Sequence, residues 1–75
     1  MDWSAKVKVV LIKCPENKVK TLMRIRKALR LETPAAELLA AAEHTPCVLT
    51  EQFSVIAAKR IIEQEQLEEW LSIQF

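Results

Sequence analysis

The chain contains no glycine in 75 residues, and that absence limits its backbone more than any other feature. Left-handed conformations cost an L-residue about 1–2 kcal/mol, so they fall to glycine and, less readily, to asparagine. The chain has one asparagine, Asn17. Two-residue hairpins of the primed turn types need such positions and are not expected. Glycine-rich phosphate cradles and dinucleotide fingerprints are excluded. The elements must be joined by helices and by loops punctuated at Pro15, Pro34 and Pro46.

With 51% hydrophobic and 28% charged residues, the chain has the make-up of a folded domain rather than a disordered segment. Its length is that of one domain, residues 1–75. The longest aliphatic run, Val9-Val10-Leu11-Ile12, is bounded by Lys8 and Lys13 and falls far short of the ~20 residues of a membrane helix. Met1-Asp2-Trp3-Ser4 is not a basic segment leading into an apolar one, so no secretory signal is expected. Cys14 and Cys47 have no framework spacing, which suits a reducing compartment. A cytoplasmic location is the expectation.

Lys6 to Lys13 is rich in β-branched residues and predicts a strand with Val7, Val9 and Leu11 on its buried side. Asn17 is placed to cap a helix from Lys18 to about Leu29, in which Leu22, Ile25 and Leu29 share a narrow arc and Val19 lies further round. Thr33-Pro34 has the form of a cap and first turn for a second helix, Ala35 to Ala42. Cys47 to Thr50 reads as a short strand, Ser54 caps a third helix from Val55 to about Glu65, and Leu71, Ile73 and Phe75 alternate in a closing strand. The expected fold is an α+β sandwich of order β-α-α-β-α-β, with three helices packed on one face of a three-stranded sheet. Trp70, out of phase with Leu71, is expected with Val10 and Ile12 on the uncovered sheet face, which gives a homodimer a surface.

Catalytic signals are weak. His44 is the single histidine, and no third group is signalled to orient it toward Ser54, Ser72, Cys14 or Cys47, so no enzyme is expected. His44 and Cys47 stand three apart, and Cys14 approaches them if the first two strands pair. Three such ligands make half of a zinc motif, and no metal or other cofactor is expected.

Charge is divided along the chain. Residues 1–30 carry nine Lys and Arg against Asp2 and Glu16, whereas residues 31–75 carry eight glutamates against Lys59 and Arg60. Such a division either steers a charged partner or gives two solvated faces. The first helix concentrates the basic part. The candidate contact residues are Lys18, Lys20, Leu22, Met23, Arg24, Arg26, Lys27 and Arg30. A protein partner with an acidic surface suits them, with Met23 as an adaptable apolar contact. Nucleic acid is the alternative, since the same stripe can meet phosphates although no aromatic residue interleaves with it.

This order of elements resembles the C-terminal domain of the bacterial ribosomal stalk protein, a ClpS-like α/β sandwich, over about Lys6 to Phe75. The resemblance is carried by Val7-Lys8-Val9-Val10-Leu11, by Asn17-Lys18-Val19, by Arg26 eight residues after Lys18, by Pro46, and by Ser54 with Ala58. It implies a non-enzymatic module that recruits a protein through its first two helices and the loop between them. Lys18 and Arg26 match basic positions of that surface and Leu22 an apolar one, while Met23 stands where the family has a lysine. The family's glycine-rich turn is replaced by the longer Leu29-Arg30-Leu31-Glu32-Thr33-Pro34. No counterpart of the family's N-terminal dimerisation region and hinge is visible, so ribosome anchoring of the usual kind is not expected. A retained scaffold with a changed partner is the resulting expectation. The protease adaptor that recognises N-terminal residues is similar in fold, and His44 lies loosely near its histidine motif; peptide binding of that kind is the remote alternative.

Overall fold

Strand β1 (Lys6–Leu11) runs through the middle of a three-stranded antiparallel sheet, between β2 (Cys47–Ser54) and β3 (Leu71–Gln74). The structure is a computed structural model and describes residues 5–75. The secretory-signal reading of Met1 to Ser4, and Trp3, lie outside the described residues. Helices α1 (Lys18–Ala28) and α2 (Ala35–Ala41) separate β1 from β2, and α3 (Val55–Gln64) separates β2 from β3. The chain is therefore the β-α-α-β-α-β, α+β fold that its hydrophobic spacing predicts. Among the described residues, no helix is long and apolar enough to cross a membrane.

Alternation in β1 sends Val7, Val9 and Leu11 to one face, where they join Leu22, Ile25 and Leu29 from the first helix and its end. Leu38 from α2 and Ala42 at its C-cap enter the same cluster, as do Ala58 and Ile62 from α3. All three helices therefore cover one face of the sheet. Each large aliphatic side chain so buried contributes about 1.5–3 kcal/mol before conformational entropy is set against it. Leu67, from the loop after α3, is also fully buried.

The helix ends show how a chain without glycine turns. Arg30 has φ 52° and Gln66 has φ 55°. At the first, Leu31 N–H donates to the Arg26 carbonyl (3.0 Å) and Arg30 N–H to the Lys27 carbonyl (3.2 Å). At the second, Leu67 N–H donates to the Ile62 carbonyl (2.9 Å) and Gln66 N–H to the Glu63 carbonyl (3.2 Å). Both are Schellman closures, with a long side chain at the left-handed position glycine normally occupies.

Several expectations need correction. β2 extends to Ser54, because two bulges, between the partners of Val7 and Val9 and of Val9 and Val10, let it continue without strict alternation. Thr50 Oγ1 accepts from Gln52 N–H (3.3 Å) beside the first of them. Neither Asn17 nor Thr33 caps a helix with its side chain: α1 has no side-chain cap bond, and Pro34 is the N-cap of α2. Ser54 does cap α3, accepting from Ala57 N–H (3.3 Å). Trp70 is half-buried against the core cluster, in a cleft with Asn17 and Thr21, and not on the outer sheet face. On that face Val10 is only 2% exposed, between its partners Val48 and Ser72, which leaves Ile12 and Val48 as its exposed aliphatics. Phe75 stands 86% exposed instead of entering the core.

Candidate functional site: the basic side of the first helix

The same periodicity that buries Leu22, Ile25 and Leu29 turns Lys20, Arg24 and Lys27 away from the sheet. The structure divides the eight candidate contact residues into three groups. Leu22 is 0% exposed and belongs to the core, so it cannot meet a partner. Its apolar character fits both roles in sequence, but its place within the Leu22–Ile25–Leu29 arc allows only the buried one.

Lys18, Arg24 and Arg26 are engaged within the fold. Lys18 Nζ donates to Glu43 Oε1 (2.9 Å), tying the start of α1 to the end of α2. Arg24 Nη2 donates to the Glu65 carbonyl (2.8 Å), where a cation suits the free carbonyls at the C-terminus of α3. Arg26 Nε donates to the Thr33 carbonyl (2.8 Å) and holds the α1–α2 loop against α1. These three cations brace α1 against α2, against α3 and against its own following loop.

Lys20, Lys27 and Arg30 are exposed and, among the described residues, form no ion pair. Lys20 and Lys27 are seven residues apart, about 20° from each other around the axis, and so lie in one line along α1. Half-buried Met23 lies beside that line. Val19, one turn before Met23, is 59% exposed. Val19 was not among the candidate contact residues, although it lies on this exposed side. Its offset from the Leu22–Ile25–Leu29 arc was the available signal. The free surface is thus exposed Val19 and the outer part of Met23, which packs inward on the core, beside Lys20 and Lys27, while Arg30 lies past the helix end in a cleft with Glu51 and Gln52.

The hydrogen bond and charge of Lys18 hold the Glu43 carboxyl below its ordinary range near 4.5. A carboxyl with a depressed folded-state pKa stabilises the fold above its unfolded pKa and loses that contribution as pH falls through the folded value. Glu43→Gln is therefore expected to shift the urea midpoint downward at pH 7 and to leave it unchanged at acid pH below the depressed folded-state value, where both chains carry a neutral group. An equal difference at both pH values would show that the pair contributes nothing.

His44 is exposed in the turn after α2. Burial pushes the Cys47 thiol upward, which disfavours the reactive thiolate. The Cys14 thiol points to the Pro15 carbonyl (3.8 Å). No three His, Cys, Asp or Glu side chains among the described residues come together as a metal-ligating group. The chain matches no model of a known family, no curated protein and no solved structure in these three comparisons.

Proposed function

We propose that the chain is a non-enzymatic interaction module that docks a protein partner on Val19, Lys20, Met23, Lys27 and Arg30. The observation that carries this reading is the division of labour among the cations of α1. Three are used to brace the fold, and three form no ion pair among the described residues, two of them, Lys20 and Lys27, beside exposed Val19 and half-buried Met23. Met23 packs partly on the core, but solvation alone gives no reason for Val19 to lie exposed beside the free lysines. A partner segment with an apolar anchor ringed by carboxylates fits this arrangement, the charges steering approach and the apolar contact holding it.

The resemblance to the ribosomal stalk C-terminal domain supports the same helix as the contact. Two of the matched positions, Lys18 and Arg26, are tied inside this fold, and the turn after α1 closes on Arg30 rather than glycine. A partner different from a translation GTPase suits those differences.

The test compares the wild-type chain with Lys20→Glu/Lys27→Glu in affinity capture from the native cell, with and without nuclease. Both positions are exposed, so the fold is expected to remain. Loss of a nuclease-resistant protein, with at least ~10-fold weaker binding once it is purified, is the expected result. Binding to nucleic acid that falls steeply with salt and is lost in the same variant would establish the alternative instead. A partner held equally by both chains would end the proposal.

A further inference from the structure

The free side of β3 is the least guarded edge of the sheet. Ile12 N–H donates to the Trp70 carbonyl (2.8 Å), which puts those opposed residues at a hydrogen-bonding position of the antiparallel ladder, although the Trp70 N–H turns to the Leu67 carbonyl (3.0 Å). Pair types alternate, so Ser72 and Gln74 direct their peptide groups to Val10 and Lys8, while Leu71 and Ile73 direct theirs outward; Phe75 follows the last strand residue, and one further residue of extended backbone turns its N–H outward as well. The Leu71 N–H is taken by the Leu67 carbonyl (3.0 Å). Among the described residues, the Leu71 carbonyl, both groups of Ile73 and the Phe75 N–H remain along the open edge.

Edge strands are normally protected by charge, proline or bulges. The opposite edge, β2, has two bulges and carries Glu51. Leu71-Ser72-Ile73-Gln74-Phe75 has no charged side chain and no proline, and the pairing of Leu71 to Gln74 with β1 is regular. Beside it runs a groove of about 260 Å³ between α3 and β3, with Ile62, Leu71 and Ile73 among its walls. Its charges are ordered. Ser54 pairs with Lys6 and Gln74 with Lys8, so the start of α3 and Phe75 share one end of the sheet. Lys59 therefore lies toward the Phe75 end, and Glu63 and Glu68 toward the Leu71 end.

We propose that two copies of the chain associate by antiparallel pairing of β3 with β3 across a two-fold axis at Ile73, each placing Phe75 in the groove of the other. With Ile73 opposite Ile73, the two residues exchange both their N–H···O bonds, and each Phe75 N–H meets a Leu71 carbonyl. Every free group of the edge then has a partner. Pairing that extends β3 by one residue gives Phe75 the face of Leu71 and Ile73, so opposite Leu71 it lies over the second copy's groove. The two-fold also sets Lys59 of one copy against Glu63 and Glu68 of the other, so the surface is complementary to itself as an isologous interface requires. This surface is separate from the α1 docking face, and charge reversal at Lys20 and Lys27 leaves it intact.

Sedimentation equilibrium of the 75-residue chain is expected to show a concentration-dependent species of twice the 8.6 kDa chain mass. Phe75→Lys, at a position outside the core, is expected to weaken association at least ~10-fold while circular dichroism stays native. Lys59→Glu and the double variant Glu63→Lys/Glu68→Lys should each be monomeric alone and form a mixed dimer when combined, because only the mixed pair sets opposite charges together. A single-chain mass up to ~1 mM, a dimer unaffected by Phe75→Lys, or charge variants that fail to recombine would overturn the proposal.

Discussion

Leu22→Ala is expected to lower the unfolding free energy by about 2–5 kcal/mol, a large share of the stability of so small a domain. Leu22 is fully buried beside Ile25 and Leu29, so truncation removes both the transferred apolar surface and the contacts around the space it leaves. The urea midpoint should fall with little change in slope. Val19→Ala, one turn earlier and mostly exposed, should stay within about 0.5 kcal/mol. The pair separates the two sides of α1. Loss of partner binding in Leu22→Ala should track the fraction unfolded, whereas loss in Val19→Ala should occur in a chain that remains folded. A Leu22→Ala chain with wild-type stability would refute the buried assignment and return Leu22 to the contact surface.

The order of elements was legible because each element here has a clear periodicity. Val7, Val9 and Leu11 alternate, and Leu22, Ile25 and Leu29 recur at helical steps, and both sets enter the core. What escaped depends on relations between elements. The second half of β2 was hidden by its bulges, which break the two-residue period at Glu51 and Gln52. Leu67 has no periodic neighbours in its loop, and its burial follows from the turn after α3. The basic character of α1 was plain in composition, but not which cations were free. That depended on Glu43, the Glu65 carbonyl and the Thr33 carbonyl, which lie 25, 41 and 7 residues away along the chain. Lys18, Arg24 and Arg26 differ from Lys20, Lys27 and Arg30 in tertiary partners rather than in residue type.

Introducing glycine where the chain has none should stabilise it. Gln66 is held at φ 55° at the position after the C-cap of α3. A side chain there costs about 1–2 kcal/mol, and glycine returns about half of that through its greater freedom in the unfolded chain. Gln66→Gly is therefore expected to gain about 1 kcal/mol, read as a rise of roughly 4–8 °C in Tm. Gln66→Val should move Tm the other way, since a β-branched residue fits the left-handed region worst. Arg30→Gly should give a similar gain at φ 52°, about 2 kcal/mol when combined with Gln66→Gly. Arg30 is also one of the three free cations of the α1 surface, so the same substitution should weaken capture of the protein partner while raising Tm. Gln66→Gly should raise Tm with capture unchanged. If Arg30→Gly left capture intact, the turn would be a backbone device alone, and the docking surface would end at Lys27.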